Sequence, residues 1–177
     1  MVQSRGLGDV YKRQVIKNFN SNEIIVSGIE QHQVLFPSEI LIDTLVSSYT
    51  KLFPLLTSSN KSTTMSGVYN LNPDPKANPF FSKLNESGKI IAVRSEINNP
   101  ANDLPNNIIL ISDSKFISDN GSGGIAENHI FILNAIDYLM GDSELISLRS
   151  REITTRPLKE LENLSLIHIS EPTRLDH

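Results

Sequence analysis

Ser112, Asp113 and His129 are the residues whose types most resemble a catalytic set. Ser112 and Asp113 end an apolar stretch, and His129 lies farther along the chain. A hydroxyl, an imidazole and a carboxylate in contact can carry out hydrolysis. However, no G-x-S-x-G elbow surrounds Ser112, and neighbouring residues of a strand point to opposite sides, which disfavours a relay. Asp113 can instead orient a ligand or cap the following turn. A hydrolase that uses Ser112 or Asp113 is kept as an alternative function.

A glycine-rich loop follows at Gly121, Ser122, Gly123 and Gly124. The backbone amides of such a loop, placed before a helix, can bind an anion. The spacing fits neither a Walker loop nor G-x-G-x-x-G, and Glu127 opposes a phosphate electrostatically. A phosphate-binding module is a second alternative, and a flexible loop is the simpler interpretation.

The composition excludes several other classes of site. The chain has 177 residues, of which 38% are hydrophobic and 20% charged, as in an ordinary globular domain. It has no Cys, so disulfides, thiolate metal sites and Cys nucleophiles are excluded. Its 16 basic and 20 acidic residues give a net charge of −4, which argues against a nucleic-acid partner. The remaining His and carboxylates lack metal-ligand spacing. We therefore expect no metal and no cofactor.

The two ends of the chain, 1–14 and 164–177, are predicted to be artefacts. The reverse complements of plausible codons for residues 4–14 encode residues 164–174 at all eleven positions. For example, CAG for Gln14 gives CTG for Leu164. The implied DNA resembles the adapter of transposase-based sequencing libraries. Residues 15–163 are then one fragment of a domain whose N-terminal side is truncated.

The elements that position these residues follow from the apolar stretches. Strands are predicted at 23–29, 33–36, 52–57, 89–97, 107–112 and 145–148. The stretch 107–112, NIILIS, is apolar on both faces, which is typical of a parallel sheet beneath helices. This order predicts an α/β fold with a mostly parallel sheet. Polar loops are expected at 58–79 and 98–106.

One helix is predicted over residues 128–140, with Asn128 as the N-cap and Gly141 just past its end. Asn134 is the odd polar residue of this apolar helix. Beyond it, Arg149 and Arg151 are predicted to alternate along an extended segment, 149–158, and so to point the same way. That charged seam is either a solvated edge or a docking surface.

The C-terminal half also carries a family resemblance. It rests on Ser112-Asp113-Ser114-Lys115-Phe116, on the pattern Asn128-x-x-Phe131-x-x-Asn134-x-x-x-Tyr138-Leu139, and on residues 145–152 and 156–158. These pieces resemble the extracytoplasmic domain of gliding-motility-type ABC transporter auxiliary proteins, which are substrate-binding-like. The stretches LFPSEI, FPLLTSS and GKIIAV are similar to that family more loosely.

The resemblance implies a flavodoxin-like or glutamine-amidotransferase-like layered domain that lacks the catalytic Cys. It implies a non-catalytic binding or scaffold component of an ABC transport system, at the periplasmic face of the inner membrane of a bacterial cell envelope. The implied partners are the membrane and ATPase subunits of the transporter and a solute, with membrane contact only through anchors outside this fragment. The motif residues are then structural: Asn128 caps, Phe131 packs and Asn134 bonds backbone in an adjacent loop.

Overall fold

The computed structural model describes residues 13–43, 49–67, 69–70, 72, 74, 76–98, 100–101, 104–118 and 125–154. Its strands are β1 (Arg13–Ile16), β2 (Asn18–Phe19), β3 (His32–Leu35), β4 (Thr50–Thr57), β5 (Ile90–Ile97) and β6 (Asn106–Ile111). Its α-helices are α1 (Ala126–Leu139) and α2 (Ser143–Thr154), and short 3-10 turns occur at Ile24–Val26 and Pro79–Lys83. The predicted strands at 33–36, 52–57 and 89–97 and the predicted helix at 128–140 are confirmed.

The strands form two antiparallel sheets. One sheet pairs β1 with β3, and the other has the order β2-β4-β5-β6. Every described strand pair is antiparallel. The predicted mostly parallel, flavodoxin-like or glutamine-amidotransferase-like sheet is therefore wrong. The connection 98–105 between β5 and β6 explains part of this result, because parallel neighbours need a crossover of a dozen or more residues.

The apolar stretch of β6 led to the wrong prediction of a mostly parallel sheet. Its residues alternate between half-buried and exposed side chains, as expected for a strand with one covered face. Ile109 and Ile111 pack against the core, whereas Ile108 and Leu110 are 54% and 52% exposed on the outer face. The run is thus apolar on both faces without being buried on both, and β6 is an edge strand.

The core lies between the inner face of the four-stranded sheet, the β1–β3 strand pair and α1. Ile25, Val34, Leu55, Leu56 and Phe131 are fully buried there. Helix α1 reaches this core with one stripe only, because Leu133, Ile136 and Leu139 remain about half exposed. The helix ends before Gly141, whose φ of +82° is the left-handed conformation predicted for that position.

The segment predicted as a strand at 23–29 is instead a 3-10 turn at Ile24–Val26. Its β-branched residues favour a strand, but no described strand pairs with it. The side chain of Asn134 donates hydrogen bonds to the carbonyls of Ile25 and Ser27. These bonds take the place of the backbone hydrogen bonds that a neighbouring strand would make. Tertiary contacts therefore override the local β propensity.

The segment predicted as a strand at 145–148 and as an extended chain from 149 is helix α2 through Thr154. A four-residue apolar run does not by itself distinguish a strand from a helix. Glu144 in the first turn and Arg151 in the last complement the helix dipole. Residues 155–158 of the predicted segment lie outside the described residues.

Two further expectations fall mostly outside the described residues. Of the predicted artefactual ends, only Arg13 and Gln14 are described, and they form the first half of β1 opposite Leu35 and Val34. Gly121, Ser122, Gly123 and Gly124 are not described. None of the described helices has the length and apolar character that a membrane span requires.

Candidate functional site

Two of the predicted site residues, Asp113 and Asn128, converge on the free edge of β3. One edge of β3 pairs with β1. On the other edge, Asn128 Oδ1 accepts from the Gln33 amide at 3.0 Å and Asn128 Nδ2 donates to the Gln33 carbonyl at 2.8 Å. Asp113 Oδ2 accepts from the Leu35 amide at 2.6 Å. Two side chains thus satisfy the backbone groups that a neighbouring strand would otherwise satisfy.

The sequence predicts Asn128 as the N-cap of α1, and this prediction is wrong. Ile125 occupies that position and makes no side-chain cap. Asn128 lies inside the first turn, is fully buried, and also donates to the Phe116 carbonyl at 2.6 Å. Its amide therefore links α1, β3 and the turn after β6, because an amide group can pair with a backbone donor and a backbone acceptor at once.

The proposed Ser112–His129–Asp113 relay does not form. The Asp113 carboxylate is buried and accepts from the amides of Leu35 and Lys115, so it caps the turn 115–117. His129 is exposed on α1. The Ser112 hydroxyl is buried and has no hydrogen-bond partner among the described residues. A serine without a neighbouring base is a weak nucleophile.

Phe131 belongs to a cluster of three aromatic rings beneath β3. The Phe131 ring meets the His32 ring edge-on at 5.1 Å between centroids, and Phe116 lies 5.4 Å from His32 and 6.3 Å from Phe131. Burial lowers the pKa of His32 to about 4. His32 was not predicted as a site residue, although its alternation with Val34 in β3 places both side chains on the same, inward face.

Asn134 and Arg149 form a second polar group between α1, α2 and the 3-10 turn. Asn134 is fully buried, and its Nδ2 donates to the carbonyls of Ile25 at 2.9 Å and Ser27 at 3.0 Å. Its Oδ1 accepts from Arg149 Nη1, and Arg149 Nη2 pairs with Asp137 Oδ2 at 2.6 Å. The two bonds from Asn134 to the carbonyls of Ile25 and Ser27 are backbone bonds of the kind that the family resemblance implies for this residue.

The prediction that Arg149 and Arg151 point the same way is wrong. Both lie on α2, where residues two apart differ in direction by roughly 200°. Arg149 therefore turns inward to Asn134, whereas Arg151 is exposed. The charged seam expected from an extended strand does not exist in the described part of the chain.

A buried ion pair that was not predicted from the sequence joins β5 to the segment before the first 3-10 turn. Arg94 of β5 is 5% exposed and forms a two-pronged pair with Glu23, at 2.8 Å from Nε and 3.0 Å from Nη2. Its guanidinium lies 4.0 Å from the centroid of the Phe53 ring. Hydrogen bonds to Glu23 raise the pKa of Arg94 above its ordinary value. The signal in the sequence was a basic residue inside the apolar strand KIIAVRSEI.

None of the predicted site residues lines either of two open grooves on the described part of the chain. The first, of about 280 Å³, lies on the outer face of the four-stranded sheet and is almost wholly apolar. The second, of about 330 Å³, lies beside Lys17, Phe19 and Glu23. No group of three or more potential metal ligands occurs in the described ranges. Asp113, Asn128 and Asn134 each hold backbone segments together.

The comparison with protein families gives one match. The family described as "ABC-type uncharacterized transport system" matches residues 10–135, more than half of the chain. The match spans all of the described strands and α1 as far as Ala135, and it ends before residues 145–158, which contributed to the resemblance. No curated protein and no solved structure matches the chain.

Proposed function

Because the chain belongs to this family of ABC transporter auxiliary proteins, we propose that it is a non-catalytic module that binds subunits of an ABC-type transporter. The observation that carries the proposal is the outer face of the four-stranded sheet. Helix α1 covers the inner face of that sheet, whereas large apolar side chains remain exposed on the outer one.

This outer face is defined by Leu41, Ile42, Ile108 and Leu110. Their exposed fractions are 81%, 41%, 54% and 52%, respectively. Together with Leu52 and Val93 they line the apolar groove. Contiguous exposed apolar patches on soluble domains commonly mark protein interaction sites. The family makes subunits of the transporter the natural partner for this surface.

The polar residues support the non-catalytic part of the proposal. Asp113, Asn128 and Asn134 each direct their side-chain atoms to backbone groups of another segment. Such groups are engaged in holding the fold and are not directed toward a substrate. This arrangement gives no specific support to the hydrolase alternative, which would require a base beside Ser112.

The location remains part of the proposal. By its resemblance, the domain lies at the periplasmic face of the inner membrane of a bacterial cell envelope, held by anchors outside the described residues. The link to gliding motility and the binding of a solute rest on the same resemblance. Localisation of a tagged full-length gene product by protease accessibility in spheroplasts tests the placement, and protection from protease would contradict it.

Co-purification with the transporter tests the binding surface. The wild-type chain and the double variant Ile108→Lys/Leu110→Lys are each mixed with the detergent-solubilised membrane and ATPase subunits. We expect the wild-type chain to be retained and the variant to lose at least 10-fold in affinity, because two ammonium groups would have to be desolvated in an apolar contact. Equal retention of both would contradict the assignment of the outer face.

Helix α1 provides a matched control. Leu139 is 50% exposed, close to the values for Ile108 and Leu110, but it lies on the helix side of the molecule. Leu139→Lys therefore changes charge and apolar exposure to the same degree at each substituted position without touching the outer face. Retention by this variant, together with loss in the β6 variant, assigns binding to the sheet.

A further inference from the structure

His32 is a buried ionisable group to which the proposed function gives no role. Its side chain is fully buried, and neither ring nitrogen has a hydrogen-bond partner among the described residues. The rings of Phe116 and Phe131 pack against it. A neutral imidazole is tolerated in this position, but an imidazolium needs an acceptor and a hydrated environment.

The charged groups on the surrounding elements are already engaged or lie outside the cluster. Asp113 accepts from two backbone amides, Glu127 accepts from Gln31 at 3.5 Å, and Asp137 pairs with Arg149. None of these carboxylates bonds to His32. The titratable and charged residues on or next to the segments that pack against His32 are Arg13, Lys17, Glu30, Asp113, Lys115, Glu127, His129, Asp137 and Tyr138.

We propose that His32 is an acid-sensitive lock, whose protonation releases the β1–β3 strand pair from α1 while the four-stranded sheet stays folded. This strand pair is the separable part because its β3 edge is held by side chains, whereas β4, β5 and β6 are joined to one another by backbone ladders. Release would expose Phe131 and the amide of Asn128. The proposal does not depend on transporter binding.

The direction of the effect follows from the two protonation equilibria. The pKa of His32 is about 4 with the β1–β3 strand pair docked and about 6.5 when the side chain is exposed to water. The docked state therefore binds the proton less well, and docking weakens as the pH falls from about 6.5 to about 4. Between pH 7 and pH 4 the docking equilibrium constant falls on the order of 100-fold.

Amide hydrogen exchange followed by NMR tests this proposal directly. The reporter is the Gln33 amide, which donates to Asn128 Oδ1, an acceptor that does not titrate. The reference is the Ser58 amide, which donates to the Lys89 carbonyl at 2.8 Å beside the β4–β5 ladder. We expect the protection factor of Gln33 to fall on the order of 100-fold from pH 7 to pH 4, and that of Ser58 to change much less. A parallel fall of both would show global unfolding and would overturn the proposal.

Two variants separate His32 from other acid effects. In His32→Phe and His32→Leu, the position cannot be protonated, and the pH dependence of Gln33 protection should disappear. His129→Gln removes the exposed histidine of α1 and should keep that dependence. If neither His32 variant folds, the pH dependence of the NMR chemical shift of the His32 Cε1 proton in the wild-type chain still tests the proposal. A titration midpoint near 6.5 in the folded protein would refute the lock.

Discussion

Replacement of Asn134 by Leu tests whether the polar residue of α1 holds the 3-10 turn in place. The two side chains are similar in size, but Leu has neither the donors nor the acceptor of the amide. The change removes the hydrogen bonds from Nδ2 to the carbonyls of Ile25 and Ser27. It also removes the acceptor of Arg149 Nη1. Arg149 keeps its pair with Asp137, so its charge is not left alone.

The expected loss follows from the burial of these partners. Ile25 is fully buried, so water does not easily replace the lost donor at its carbonyl, whereas Ser27 is half-buried. A stranded buried acceptor costs about 1–3 kcal/mol. With the Ser27 carbonyl at the lower end of that range, and some gain from burying Leu, we expect Asn134→Leu to lower the free energy of unfolding by about 2–3 kcal/mol.

Urea unfolding followed by far-UV circular dichroism measures this loss, and the slope should stay constant while the midpoint falls. Asn134→Asp adds a test of the donor role, since Asp can accept from Arg149 but cannot donate to the two carbonyls. Asn85→Leu, at an exposed position, is the matched control and should change stability by less than about 0.5 kcal/mol. A loss below about 0.5 kcal/mol for Asn134→Leu would refute the reasoning.

The remaining stability predictions use the same urea assay. Glu23→Gln leaves the buried guanidinium of Arg94 without its main counter-charge, and we expect a loss of about 3 kcal/mol. Lys51→Gln breaks the exposed pair with Glu96 and should cost less than about 1 kcal/mol, so comparable losses in the two variants would contradict the burial argument. Gly141→Ala meets no atom within 4 Å of the new Cβ but must adopt a φ of +82°, and we expect a loss of about 1 kcal/mol. A stabilising Gly141→Ala would contradict the strain argument.

The elements that could be predicted from the sequence are those with strong local signals. Helix α1 has a long apolar stripe and a glycine at its end, and β4 and β5 are eight-residue strands rich in apolar residues. Each of these signals is contained within its own segment. Periodicity and turn residues are therefore sufficient to identify such elements.

The parts that could not be predicted depend on contacts between distant segments. The segment 23–29 contains β-branched residues, but Asn134 and Arg94 fix it as a turn through side-chain bonds. The stretch 107–112 is apolar on both faces, and only the fold reveals that one face is uncovered. Composition does not distinguish a strand that is buried on both faces from an edge strand whose outer face is apolar but exposed. This ambiguity produced the wrong fold class.

The candidate site shows the same division. The sequence identified Asn134 as a polar residue in an apolar helix, Asp113 as a cap or ligand-orienting residue and Asn128 as an N-cap, and all three are buried. The turn cap that Asp113 makes with the Lys115 amide is local and was predicted. The bonds of the three residues to Leu35, Gln33 and Ile25 span 78 to 109 residues along the chain, so these partners were not predictable. His32 and Arg94 were missed because their burial depends on rings and carboxylates contributed by other elements.

The central claim is that the residues around β3 maintain the fold and perform no reaction, and Ser112→Ala tests it most directly. The Ser112 hydroxyl has no hydrogen-bond partner among the described residues, so its removal should not lower the urea midpoint. The measurement is ATP hydrolysis by the transporter complex assembled with wild-type or Ser112→Ala chain. The account predicts equal rates and equal retention of the two chains. A variant that is as stable as the wild type, yet lowers the rate or fails to be retained, would contradict it.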